Sequence, residues 1–114
     1  MIEMSFNKHS HTLILKNQYI IYSINIEDIY FFEKFGRKID VVLYNKRITY
    51  YGTFKDLEKI INSNYFYKCH KSYIINFKKV FMVDKDEIKF FDIKDIAIVS
   101  KNNRNELTNI ISNI

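Results

Sequence analysis

The chain has 114 residues, 47% of them hydrophobic and 17% aromatic, with 18 Lys and Arg against 13 Asp and Glu, for a formal net charge of +5. That is the size and apolar content of one folded domain, which excludes intrinsic disorder, and no run of about 18 apolar residues offers a membrane-spanning helix. A single cysteine, Cys69, cannot close an internal disulfide, and the start "MIEMSFNKHSHTLILK" lacks the basic-then-apolar order of a secretory signal, so a cytoplasmic protein is expected.

Short apolar runs of strand length recur along the chain. "HTLILK" and "YIIYSI" flank Asn17-Gln18, which reads as a two-residue hairpin turn. "IYFFEKF" passes through Gly36-Arg37 into "KIDVVLY", where Ile39, Val41 and Leu43 alternate with Asp40 and Tyr44, and Asn45-Lys46 turns the chain into "RITYYG". In "GTFKDLEKII" the period changes. Thr53 followed by Asp56 has the form of a helix start, and Phe54, Leu57, Ile60 and Ile61 share one helical face. "FYKCHKSYIIN", "KVFMVD", "EIKFFD" and "DIAIVS" return to strand character, with turns near Asp84-Lys85-Asp86 and Ile93-Lys94. The tail "NNRNELTNIISNI" puts Leu107, Ile110, Ile111 and Ile114 at helical spacing, with Asn103 and Glu106 at cap positions. The reading is a mainly antiparallel β domain whose two helices, one central and one terminal, cover sheet faces.

Charge is unevenly spread. No acidic residue occurs from Lys59 to Val83, a span that holds Lys59, Lys68, Lys71, Lys78 and Lys79. A second basic group, Lys34, Arg37, Lys38, Lys46 and Arg47, is diluted only by Asp40. Two acid-poor stretches on one small domain suit a polyanion, or else a solvated face whose counter-charges arrive by folding.

The catalytic readings are weak. Cys69-His70 invites a nucleophile and base, but neighbours on a strand point to opposite faces and cannot meet. Cys69 shares a strand face with Tyr65 and Tyr67, so it reads as a buried structural thiol. His9 and His11 would face the same way on a strand, but no partner stands at ligand spacing, so no metal site is expected. Two glycines, at 36 and 52, cannot build a phosphate loop. No enzyme activity and no cofactor is expected.

"FYKCHKSYIIN" resembles the hallmark of the LytTR family, the DNA-binding domain at the C-terminus of LytR/AgrA-type bacterial response regulators. That hallmark runs roughly Phe-x-Arg-x-His-Arg-Ser-Tyr-Leu-Val-Asn. Phe66, His70, Ser72, Tyr73 and Asn76 match it outright, and Lys68 and Lys71 replace arginines. "IEDIYFFEKFGRK", "TYYGTFKDLE" and "IAIVSKNNRNEL" are similar to other ordered elements of the family. The resemblance runs from about Ile14 to the end, which sets residues 14–114 as the domain and 1–13 as an N-terminal extension.

The resemblance implies about ten mostly antiparallel strands in stacked sheets, whose inter-strand loops enter two successive major grooves of double-stranded DNA. It implies base contacts from Arg37 and Lys38, from Lys71, and from Lys101 with Asn102, and phosphate contacts from Lys34, Ser72, Ser100 and Arg104. Arg and Lys can donate to guanine O6 and N7, and Asn can pair with adenine N6 and N7. Lys71 offers a point charge where the family presents an arginine fork, and "SKNNR" replaces an arginine-richer pattern. His70 is expected to be bonded within the fold, with Tyr73, Ile74 and Ile75 in the core. The function expected is sequence-specific DNA binding in a bacterial transcriptional regulator, on direct repeats, as a monomer in isolation. A receiver domain would stand upstream in a longer chain. The alternatives are a single-stranded nucleic-acid module with stacked aromatics, and a protein-interaction module using the Leu107, Ile110, Ile111, Ile114 stripe.

Overall fold

The computed structural model describes residues 2–61 and 64–113 and contains three antiparallel sheets and two α-helices. β1 (Glu3–Asn7), β2 (Thr12–Lys16) and β3 (Ile21–Asn25) form the first sheet, in chain order. β4 (Phe31–Phe35), β5 (Lys38–Leu43), β6 (Lys46–Tyr51), β7 (Phe66–His70) and β8 (Tyr73–Asn76) form the central sheet, in the order β6-β5-β4-β8-β7. β9 (Val80–Asp84), β10 (Glu87–Phe90) and β11 (Ile96–Ile98) form the third. Helix α1 (Phe54–Ile60) connects β6 to β7, and α2 (Arg104–Ser112) follows β11. The mainly β, antiparallel architecture with a central and a terminal helix is therefore as expected.

Adjacent apolar pairs explain why the layers stack. Phe31-Phe32, Val41-Val42 and Ile74-Ile75 sit on neighbouring strands of the central sheet, and all six residues are buried. Successive strand residues face opposite ways, so each pair supplies one side chain to each side of the sheet, the mark of a sheet covered on both faces. Phe32, Val41 and Ile74 join Leu13, Leu15 and Ile24 of the first sheet and Phe54, Leu57 and Ile61 around α1. Phe31, Val42 and Ile75 join Cys69, Ile88, Phe90, Ala97, Val99 and Leu107 of α2. The apolar content thus builds two cores on either side of one sheet. Phe31 and Phe90 stack with ring centroids 5.1 Å apart and lock the second core across the layers.

Local chemistry fixes the ends. The Thr53 hydroxyl accepts from the Asp56 N–H at 3.1 Å and starts α1 where the sequence put it. Asn76, the buried polar residue of the hallmark, donates from Nδ2 to the Ile29 carbonyl at 3.0 Å and accepts the Lys78 N–H at Oδ1. It thereby joins the entry of β4 to the exit of β8, using up an amide that would be costly to bury unbonded.

Four local readings change. The Asn17-Gln18 turn is a four-residue loop, residues 17–20, because Lys16 pairs with Ile21 and the Asn17 side chain accepts the N–H groups of Tyr19 and Ile20. The next turn is at Tyr44-Asn45, with Asn45 at φ +56°, so Lys46 already belongs to β6. Tyr65 packs on the first core, opposite Cys69 and Tyr67. Asn103 begins α2 without a side-chain capping bond, for a reason given below. Within the segment expected as an extension, β1 pairs along its whole length with β2, and Met4 and Phe6 pack on the first core. Leu107 and Ile111 of the α2 stripe pack on the second core, while Ile114 lies outside the described residues.

Arg47 is the electrostatic hub of the second face. Its Nη1 reaches Glu33 at 2.8 Å and Asp40 at 3.2 Å, and Nη2 reaches Asp95, in the loop before β11, at 2.9 Å. Thr49 donates to Asp40 and Tyr73 to Glu33, so the carboxylates are bonded from both sides. Burial alone would lower the guanidinium pKa, but the bonds to Glu33, Asp95 and Asp40 outweigh it and raise it. Arg47→Met leaves three carboxylates facing one another. With the partly exposed setting discounted, a loss of about 1–2 kcal/mol in urea unfolding is expected.

Cys69 and several tyrosines, Tyr50, Tyr67 and Tyr73 among them, titrate late. Burial pushes the Cys69 thiol up to about 12, and burial together with the bond to Glu33 pushes Tyr73 up to about 12. Both favour the protonated form in the folded state. Their contribution is fully present below the unfolded pKa values and is lost as pH rises toward 12. Stability to urea should hold to about pH 9 and fall between about pH 9 and 12. At pH 8 the native thiol should resist iodoacetamide that alkylates it in denaturant, as mass spectrometry would read.

Candidate nucleic-acid interface

Three separate stretches meet at one end of the central sheet, and main-chain bonds bring them there. The Lys34 N–H donates to the Ser72 carbonyl at 2.9 Å, which extends the β4–β8 ladder beyond Glu33–Tyr73 and sets the β7–β8 turn beside the end of β4. The Gly52 N–H donates to the Arg37 carbonyl at 3.0 Å and ties the β4–β5 turn to the end of β6. The third tie is at Cys69. The β7–β8 register shifts between Lys68 and His70, so Cys69 bulges from the ladder. Its carbonyl accepts the Ser100 N–H at 2.9 Å and the Asn103 Nδ2 at 3.0 Å, mooring the start of α2 to β7. Asn103 is spent on this tie, which is why it does not cap the helix.

Glycine is needed twice here. Gly36 has φ +59° as the first central residue of the two-residue turn between Phe35 and Lys38, a position that favours glycine in a type II′ hairpin. A Cβ on Gly52 would come within 2.8 Å of the Tyr50 ring, so its absence lets the chain fold over that buried tyrosine.

The predicted contact residues fall on this end. Arg37 and Lys38 lie at the β4–β5 turn and Lys71 at the β7–β8 turn. Lys101 and Asn102 lie in a 3-10 turn, Lys101–Asn103, that leads into α2. All five are exposed. Lys34 and Arg104 are exposed beside them, and Ser72 and Ser100 are half-buried between them. His70 is held within the fold. Its Nδ1 accepts the Ser72 N–H at 3.0 Å, and its ring meets Tyr73 edge-on at 5.6 Å. A cleft of about 450 Å³ runs past His70, Lys85, Asp86, Ser100, Lys101 and Arg104.

Most of the acid-poor runs do not reach this end. Arg47 is committed to its three carboxylates. Lys68 faces Glu58 at 3.7 Å, Lys78 lies over the Tyr65 ring and Lys79 over the Tyr30 ring, both at 4.8 Å, and Lys46 lies over Tyr22. Of the five lysines between Lys59 and Val83, Lys71 alone stands on this edge. The Cys69 thiol donates to the Ile98 carbonyl at 3.2 Å and the His70 Nδ1 accepts the Ser72 N–H, so both groups are engaged elsewhere rather than with each other as nucleophile and base. The interior rows of the central sheet are covered on both faces, and the exposed aromatics of its described strands, Phe35 and Tyr51, stand only at the rim.

Sequence reasoning missed Phe35, Tyr51 and Lys85 on this edge. Phe35 and Tyr51 read as ordinary strand residues, and only the register shows that they end their strands at the exposed rim. Lys85 sits at the tip of the β9–β10 turn with φ +58°, and the bond from the Val99 N–H to the Asp86 carbonyl brings that turn to the cleft.

The model of the LytTr DNA-binding domain matches residues 19–112. A solved structure from Bacillus cereus, described as the LytTr DNA-binding domain of a response regulator, superimposes with a TM-score of 0.74 at 15% identity, covering 88% of this chain and 95% of that one. No curated protein matches the chain. The match over most of the sequence agrees with the hallmark at Phe66–Asn76 and with the three-sheet architecture, and the chain belongs to the LytTR family of DNA-binding domains.

Proposed function

We propose that this domain binds double-stranded DNA sequence-specifically and regulates bacterial transcription as the output unit of a two-component response regulator. Its inter-strand loops enter successive major grooves on direct repeats. Arg37, Lys38, Lys71, Lys101 and Asn102 contact base edges, and Lys34, Ser72, Ser100 and Arg104 bind phosphates and set register. The isolated domain is monomeric, residues 14–114 carry the binding unit, and a receiver domain supplies the signal in a longer chain.

The observation that carries this reading is the convergence of three loops on one end of the sheet through the ties at Ser72, Arg37 and Cys69. Exposed cations without a carboxylate partner among the described residues gather there, Lys38 over the Tyr51 ring included, while Arg47 and Lys68 elsewhere on the central sheet face carboxylates. Helix α2 turns its apolar side inward to the second core, which favours nucleic acid over a helix-docked protein partner.

Neutralising about five or six phosphates releases their counterions, so the logarithm of the binding constant should fall with the logarithm of salt at a slope of roughly −4 to −6. Titration by fluorescence anisotropy at several salt concentrations checks this, and a slope near zero removes the nucleic-acid reading. Competition should show duplex displacing the probe better than single strand.

Arg37 and Lys71 should divide the work. Arg37→Ala is expected to cost about 1–3 kcal/mol on the preferred site and much less on random duplex, because a fork-shaped donor reads guanine. Lys71→Ala should weaken both duplexes similarly and make the salt slope shallower by about one unit. Equal losses for Arg37→Ala on the two duplexes would move base reading to Lys101 and Asn102.

A further inference from the structure

Three side chains form one registered row across the rim that carries Arg37. Phe35 pairs with Lys38 across β4 and β5, and Lys38 pairs with Tyr51 across β5 and β6. Cross-strand partners share a face, so Phe35, Lys38 and Tyr51 project to the same side of the sheet. The next rows inward on that side are Glu33, Asp40 and Thr49, then Phe31, Val42 and Arg47, and those end in the Arg47 hub and the second core. Phe35, Lys38 and Tyr51 are not members of that core. Phe35 is 51% exposed and Tyr51 49%.

The two aromatics differ in what they meet. Tyr51 carries the Lys38 ammonium 5.6 Å from its ring centroid. The exposed pair Phe81 and Phe91 cover each other, with centroids 5.2 Å apart. Phe35 has neither a ring nor a cation packed on it among the described residues. It stands open, one residue before Gly36 and two before Arg37, in the middle of a cationic edge.

An exposed phenylalanine there can neither donate nor accept a hydrogen bond, so all it can offer a base edge is an apolar contact. The one apolar group on a base edge in the major groove is the C5-methyl of thymine. Insertion between base pairs would require a side chain that leads the loop. Phe35 is set back in the strand pair behind the Gly36-Arg37 tip, next in the chain to the turn from which Arg37 would reach a base.

We propose that Phe35 selects thymine by contact with its 5-methyl group, and that Tyr51 holds Lys38 back on its ring so that Lys38 serves phosphate rather than a base. The proposal rests on the DNA-binding reading above and changes the assignment of Lys38 within it.

The test begins by selecting a preferred site from randomised duplex with the whole chain. Each thymine of that site is then replaced singly by deoxyuridine, which removes the methyl and leaves base pairing intact. Wild-type protein should lose about three- to fivefold in affinity at one thymine, the size of one buried methyl. Phe35→Ala should lose a similar factor on the thymine duplex and nothing more on the uracil duplex. Phe35→Leu, which keeps an apolar side chain, should retain most of the uracil penalty. Lys38→Met should keep the uracil penalty and make the salt slope shallower, as loss of a phosphate contact would. Urea unfolding of each variant separates a folding loss from a contact loss.

A Phe35→Ala protein that still shows the full uracil penalty overturns the thymine assignment, as does a wild type indifferent to every replacement. A Lys38→Met protein whose loss is confined to one base pair overturns the assignment of Lys38. If no duplex is enriched in the selection, the DNA-binding reading falls and this proposal with it. If a site is enriched but uracil changes nothing, only the proposal falls.

Discussion

One carbonyl oxygen holds the contact end together. At Cys69 the β7–β8 register slips by a residue, and the carbonyl freed from the ladder accepts both the Ser100 N–H and the Asn103 side chain. An oxygen with two lone pairs can satisfy both donors at once. The Cys69 side chain works from the same position, its thiol buried in the second core and donating to Ile98. Backbone and side chain of one residue therefore join the central sheet to β11 and to the start of α2. The bulge makes the hallmark "FYKCHKSYIIN" a joint in the fold as well as a source of Lys71. Its other matched residues act similarly. His70 shapes the turn through Ser72, Tyr73 bonds Glu33 in the Arg47 hub, and Asn76 ties β8 to the start of β4.

The electrostatics follow from what each cation can reach. Arg47 sits among carboxylates from β4, β5 and the loop before β11, and its planar fork can engage them together, which a lysine could not. Lys46, Lys78 and Lys79 lie on tyrosine faces. On the central sheet the cations that face no carboxylate stand mostly toward the end that carries the β4–β5 and β7–β8 turns. The modest formal charge of +5 is then less informative than where the unpaired cations stand.

The sequence carried the strands of the central sheet well, because alternation and β-branched content are local signals. It carried α1 equally well, since Thr53 and Asp56 are three residues apart and the Thr53 hydroxyl accepts the Asp56 N–H. The hallmark at Phe66–Asn76 identified the family. What stayed hidden was long-range. Arg47 looked like part of a basic patch because its partners are 7, 14 and 48 residues away in the chain. Asn103 looked like a helix cap because its true acceptor, the Cys69 carbonyl, is 34 residues distant. The doubled apolar pairs at Phe31-Phe32, Val41-Val42 and Ile74-Ile75 encode the two cores as a count of buried faces, which a reading by alternation passes over. Phe35 and Tyr51 could not be told from core aromatics until the register put them in the outermost row.

The ties that gather the loops join Lys34 to Ser72, Gly52 to Arg37, and Ser100 to Cys69, and each is made by main-chain atoms alone. None of them depends on the side chains of Arg37, Lys71 or Asn102. The rim is thus a rigid frame with interchangeable tips. Residues at those tips can drift between lineages, or be randomised in a library, while the scaffold stays folded, provided Gly36, Gly52 and Asn103 are kept. Substitutions at those tips leave every tie of the frame in place, so the surface they present can change in shape and charge without the chain passing through an unfolded intermediate.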